Sequence, residues 1–500
     1  MERDEGIEDT AVQKSDSPQN IAHFKLSTEV WFALCAVISL TLASFYGLCA
    51  QDDAFISFRY AQNLWEGHGL VFNAGDRVEG ITNLLWTLFF VPVFALGADP
   101  VYAAVFLGFG SLLLLFWGVY ALCKTIEVPP FWPLLLLACD ASILLEAVEG
   151  LESIFFSALL CWGIVWGVRA EGRYSWQSMV CFALALATRP ETPLVFFLFH
   201  IFLFWRERNM RSFLLQLATF IGAGIALSAW RFWYYGDFLP NTFYAKVGGV
   251  AIWRGLLYLK FYAQYHVLLV ISLLWGWKQE RFRPLLMLYT AYVLYVMIVG
   301  GDFKFTSRFL LPLVCVPIVI GGLLLEQSRG WGRIALILLW LLPQARLYQR
   351  SLTWAHDRAQ NLIARRVAGL WVRANTPSYA KIAIHSVGVI PFYAQRYTID
   401  MWGLNDRVIA RTPIKNFGAG LAGHERSNPE YVFSQFPDMY LPEDDLFLPK
   451  KVKHKAPKDF PDSFEEQYLS VSIKIEASYL NIWVRKDLIP DKKKSKEVEP

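Results

Sequence analysis

From about residue 30 to residue 347 this chain alternates long apolar runs with short polar joints, a pattern few architectures can satisfy. The first run, about Val30 to Ala50, is long enough to span ~30 Å of hydrocarbon. Further runs follow at 82–98, 100–123, 131–147, 153–168, 176–188, 191–205, 212–234, 255–276, 284–300, 309–325 and 331–346. A soluble core cannot bury that much apolar helix. Composition agrees: 55% of residues are hydrophobic, 16% aromatic and 18% charged, against ~25% charged in ordinary soluble domains. The pattern predicts a polytopic α-helical membrane protein with roughly eleven crossings. Several runs fall below the ~20 residues of a straight span, so some are expected to be short, broken or re-entrant.

Basic joints orient the chain. Arg169 and Arg173, Arg206, Arg208 and Arg211, Lys278, Arg281 and Arg283, and Arg329 and Arg333 mark cytoplasmic turns. The joints near 149–152, 189–191, 235–253 and 300–308 then lie on the outer face. The loop 51–80 joins them if one of the runs 82–98, 100–123 and 131–147 fails to cross fully. Residues 1–28 read as a polar cytoplasmic tail that is no cleavable signal, and 29–347 as the transmembrane domain with an outer loop at 51–83. After 347 the chain turns charged and proline-punctuated. Residues 348–488 are expected to form a soluble α/β domain on the outer face, and 489–500 a lysine-rich tail. The seven cysteines lie in or beside apolar segments without metal spacing, and a net charge of +4 does not suggest nucleic acid as a partner.

The outer joints are chemically unlike the inner ones. Asp52 and Asp53 open an amphipathic segment, either as a helix cap or as a base whose pKa is raised by its neighbour. Glu152 follows Gly150-Leu151, Arg189-Pro190-Glu191 interrupts two short helices, and Arg231 precedes Asp237. Asn241 and Lys246 come next, then Asp302 and Arg308. Each has an ordinary structural reading: a dipole partner, an ion pair at a helix break, a snorkelling anchor. Together they make a vestibule of carboxylates and cations, suited to a lipid phosphate meeting a hydroxyl.

The order and wording of these motifs resemble the GT-C membrane glycosyltransferases, and within them the branch of the terminal β-1,2-arabinofuranosyltransferases. The resemblance rests on Asp52-Asp53-Ala54-Phe55-Ile56-Ser57-Phe58-Arg59-Tyr60-Ala61, on Glu66-Gly67-His68-Gly69 and on Glu79-Gly80-Ile81-Thr82-Asn83. It continues in Gly150-Leu151-Glu152, Thr188-Arg189-Pro190-Glu191, Tyr235-Gly236-Asp237 with Pro240-Asn241-Thr242, and Gly300-Gly301-Asp302 with Arg308-Phe309. In the soluble part, Asp400-Met401-Trp402-Gly403-Leu404 and Gly423-His424 also match.

The resemblance implies an enzyme of a bacterial plasma membrane, active on its outer face. It would move a sugar such as arabinofuranose from a polyprenyl-phosphate donor to a cell-envelope glycan or other hydroxyl acceptor. Asp53, with Asp52 beside it, is the implied base. Arg189, Lys246 and Arg308 are the implied phosphate contacts, and Glu152, Glu191, Asp237, Asn241, Asp302, Asp400 and His424 are assigned to sugar or acceptor. A divalent cation is compatible, but no spacing singles out its ligands. Two alternatives stay open: a flippase or transporter of lipid-linked sugars, and a polysaccharide polymerase or ligase. Lys304, in Phe303-Lys304-Phe305-Thr306, departs from the pattern.

Overall fold

The computed structural model describes residues 27–489 apart from 415–416, 444–445, 452–455, 457–459 and 476–477. The expected lysine-rich tail and most of the polar N-terminal tail lie outside the described residues.

Helix Thr28–Ser44 starts where Ser27 accepts the N–H of Val30, a side-chain cap with Glu29 in the first turn. Among the described residues three helices are long and apolar enough to cross a membrane: Pro100–Thr125, Met210–Tyr235 and Glu280–Val299. Helices Ile252–Tyr265 and Val267–Gly276 reach that length only as a pair, bent by 99° at His266. The apolar run 255–276 is therefore broken rather than straight. Several other runs form helices of 10–17 residues. Their side chains build one large core around Leu115, Phe156, Leu160, Leu286 and Val316.

Of the three runs whose crossing was open, 100–123 is a single helix. The run 82–98 divides into Leu84–Leu88 and Val91–Ala95. The backbone of this pair is tied to its surroundings, with Leu85 N–H donating to Ala187 O at 2.9 Å and Trp86 Nε1 to Gly150 O at 3.0 Å. The run 131–147 divides into Phe131–Ala138 and Ala141–Glu146. Asp140 caps the second piece through Ser142 and Ile143 N–H and faces His266 at 3.2 Å.

The last apolar run does not stop at residue 347. A single helix, Gly330–Asn375, carries it 46 residues into a sheet domain. That sheet holds β1 (Lys381–Ile384), β2 (Tyr397–Asp400), β3 (Met439–Leu441), β4 (Phe447–Leu448), β5 (Tyr468–Ile475) and β6 (Ser478–Arg485). β1 runs parallel to β2 and to β3. β6 pairs antiparallel with β3 and β4 along one edge and with β5 along the other. Ala368 and Val372 of the long helix pack on Ile382, Ile384 and Ile390, so helix and sheet share one core. The expected α/β character follows from β1, helix Val389–Ala394 and β2, a crossover between parallel strands.

The outer loop is fixed to this domain by polar contacts. Arg59 is buried and donates to the carbonyls of Phe72 (2.7 Å), Pro391 (2.9 Å) and Arg396 (2.8 Å), to Asn73 Oδ1 and to Thr398 Oγ1. Burial without a carboxylate partner pushes its guanidinium down to about 9. Two glycines are closely packed, Gly388 against backbone and Gly80 against side chains. A Cβ on Gly388 would lie 1.8 Å from Asp52 O, and one on Gly80 would lie 1.9 Å from Asn405 Oδ1. Neither position has room for a side chain.

Candidate active site

Helix Asp52–Trp65 begins at Gln51 and turns Ala54, Phe55, Phe58 and Ala61 inward. That phase separates the two adjacent carboxylates. Asp52 points at the sheet domain, where it accepts the N–H groups of Gly388 (2.8 Å) and Val389 (3.0 Å). Arg365 approaches it at 3.6 Å. Burial raises the Asp52 carboxyl above its usual range, with the Arg365 charge the largest opposing effect. Asp53 has no hydrogen bond or ion pair through its carboxylate among the described residues. It interacts electrostatically with Lys246, Arg308 and His424.

The cations differ in the same way. Arg189 is held at the helix break by Glu191 (2.7 Å) and Glu152 (2.8 Å), so the motifs at 150–152 and 188–191 meet. Asn83 donates to the second Glu152 oxygen at 2.8 Å. Arg308 pairs with Asp302. The Phe309 ring lies 5.2 Å from the guanidinium of Arg189 and 5.7 Å from that of Arg308. Lys246, at the end of helix Asn241–Lys246, has no carboxylate partner among the described residues. It reaches solvent, yet Asp53, Arg308, Asp302 and Arg189 all act on it and surrounding protein lowers its ammonium. Lys246 is thus exposed and at the same time set among charged groups.

The sheet domain brings His424 to this charged cluster. His424 stacks edge-on against Trp402 (4.2 Å) and Phe303 (5.2 Å), and burial lowers its imidazole while the Asp53 charge opposes. Glu425 pairs with Arg254 at 3.0 Å. Arg426 donates to the carbonyls of Ala245 and Val247. Thus a loop of the sheet domain clasps the segment that bears Lys246.

Other expected residues stand elsewhere. Asp400 accepts from Trp402, Gly403 and Asn405, holding the turn that carries Trp402. Asn241 donates to the carbonyls of Gly403, Leu404 and Asp406. Asp237 pairs with Arg407 and Arg411 at the rim. Arg231, read as a vestibule cation, is buried on Glu79 at 3.0 Å. Lys304 is explained by residues that sequence reasoning passed over: it is buried between Glu146 and Glu149, and Thr306 donates to Glu146 at 2.8 Å. Glu146 was a carboxylate inside an apolar run, which was the available signal. Among the described residues no group of three or more His, Cys, Asp or Glu side chains is placed to hold a metal ion.

Comparison with solved structures gives ArnT from Cupriavidus metallidurans bound to undecaprenyl phosphate, at a TM-score of 0.55 and 10% identity. The alignment covers 91% of this chain and 97% of that one. The apo state of the same protein aligns with a TM-score of 0.52. This chain has the fold of ArnT. By sequence the chain is 26% identical over 372 residues to the terminal β-(1→2)-arabinofuranosyltransferase of Corynebacterium glutamicum, and 26% over 361 residues to that of Mycobacterium tuberculosis. The matches take in 63% and 61% of this chain but 54% and 57% of those proteins, little more than half the length of each. Residues 352–480 match a domain of unknown function, DUF8728. The chain is thus similar to the arabinofuranosyltransferases, and three of its described helices are long and apolar enough to cross a membrane.

Proposed function

We propose that this chain is a glycosyltransferase that moves a sugar from a polyprenyl-phosphate donor to a hydroxyl acceptor, with inversion. Arabinofuranose is the first candidate sugar and a cell-envelope glycan the first candidate acceptor. The outer face of a bacterial plasma membrane is the expected site of action. One observation carries the reading: a carboxylate, Asp53, and an ammonium, Lys246, act on each other electrostatically, yet neither side chain has a hydrogen-bond or ion-pair partner among the described residues.

In the proposed step Asp53 takes the proton of the acceptor hydroxyl as its oxygen bonds to the anomeric carbon. The bond from that carbon to the phosphate oxygen breaks, and its electron pair leaves with the polyprenyl monophosphate. Such a leaving group needs little protonation. Lys246 meets the growing phosphate charge directly, and Arg308 and Arg189 add to the field. Glu152 and Glu191 then position Arg189, Asp302 positions Arg308, and Asp400 sets the Trp402–His424 wall. The structural relative's undecaprenyl phosphate supports a lipid phosphate as ligand of this fold. A divalent cation would have to be held largely by the donor itself.

The test is release of polyprenyl phosphate from arabinofuranose, mannose and glucose donors by protein in lipid, with a crude glycan acceptor. Wild type is compared with Asp53→Asn, with and without EDTA. Release that disappears in the variant supports the reading and names the donor. Equal release moves the base elsewhere. No release from any donor by folded protein overturns the transferase in favour of a flippase or a diphosphate-linked substrate.

A further inference from the structure

A cavity of about 500 Å³ opens between the loop 51–83 and the sheet domain. None of the proposed catalytic or phosphate-binding residues lines it. Two of its walls are phenols whose hydroxyls are held by carboxylates. Tyr397 donates to Asp76 at 2.5 Å, and Tyr431 donates to Asp406 at 3.3 Å. A third ring, Tyr234, has the Arg77 guanidinium over its face at 5.0 Å. Arg407 completes the charged set, bonded to the carbonyls of Arg77 and Tyr235.

The charges cancel: two carboxylates face two guanidinium groups. A polyanion or lipid phosphate would gain at the arginines and lose at Asp76 and Asp406. Rings that offer flat apolar faces, rimmed by alternating donors and acceptors, instead match a molecule with C–H faces and hydroxyl edges. We propose that this cavity binds a stretch of neutral glycan, as an accessory subsite that holds the acceptor chain away from the reacting sugar. This rests on the transferase reading only for the word acceptor; glycan binding itself stands on the cavity.

The test is binding of a short arabinan oligosaccharide to the full chain in lipid discs, without donor, by titration calorimetry. Wild type and Asp53→Asn are expected to bind it alike, and inorganic phosphate is expected not to compete. The Tyr397→Ala/Tyr431→Ala double variant should bind about tenfold more weakly or worse, whereas the corresponding Phe variants keep most of the affinity and show that the fold survives. Undiminished binding by the double alanine variant, competition by phosphate, or no binding by wild type would overturn the proposal. Donor turnover is read separately. Binding without turnover sinks the transferase and leaves the subsite, and turnover without binding does the reverse.

Discussion

The Asp52 carboxylate accepts a 2.8 Å hydrogen bond from the backbone N–H of Gly388, 336 residues along the chain. It acts as the cap of helix Val389–Ala394 from outside that helix, together with Val389 N–H. The neighbouring Asp53 has no such duty. Asp53→Asn should therefore leave stability within ~0.5 kcal/mol of wild type while lowering turnover by about 10²–10⁴-fold. Asp52→Ala should cost about 1–3 kcal/mol and raise amide exchange at residues 388–394. Hydrogen exchange and phosphate release on the two variants check the division; loss of protection in Asp53→Asn would refute it.

Lys246 has solvent on one side and no carboxylate to leave behind. Lys246→Ala is expected to lower kcat/KM by about 10²–10³-fold with little change in unfolding temperature, and Lys246→Arg to recover part of the loss. Arg308→Ala should differ, because it strands Asp302, and should lose stability as well as rate. Parallel turnover and thermal unfolding measurements separate the two.

Lys304 is a structural ion, not a substrate contact. Lys304→Met leaves Glu146 and Glu149 buried without a counter-charge and should destabilise by about 3–5 kcal/mol. Adding Glu146→Gln and Glu149→Gln should return part of that. Thermal unfolding of the single and triple variants decides; a triple variant less stable than the single one contradicts the account.

His424 gives a pH signature. Burial lowers its imidazole below the ordinary 6.5. Between that lowered value and 6.5 the unfolded chain binds a proton that the folded chain does not, so this group's contribution is intact above 6.5 and is lost as pH falls. His424→Gln should have a shallower loss of unfolding temperature on acidification than wild type. Identical slopes would place His424 in open solvent.

Much of this was legible in the residues. The helical bundle followed from the apolar runs, and the sheet domain from the change of character after 347. The resemblance to the arabinofuranosyltransferases agreed with the relatives. What the one-dimensional pattern could not resolve was pairing. Asp52 and Asp53 are equivalent in spacing, and only the helix phase sends one to Gly388 and the other toward Lys246 and His424. Arg231 and Lys246 are equivalent as outer cations, but one meets Glu79. The breaks at Asp140 and His266 fall in runs whose hydropathy is continuous. The contact that explains both is between residues more than a hundred positions apart.

Helix Gly330–Asn375 has a further consequence. At 1.5 Å per residue it is a rod about 70 Å long, more than twice the ~30 Å of a hydrocarbon layer. Its apolar part, up to about Leu342, touches the bundle through Leu336, Ile337 and Trp340, and its far end shares a core with the sheet domain that carries Trp402 and His424. A thinner or thicker bilayer that changes the tilt of this rod moves its far end through a longer arc than its near end. A change of bilayer thickness that tilts this helix would therefore be carried to the sheet domain that holds Trp402 and His424.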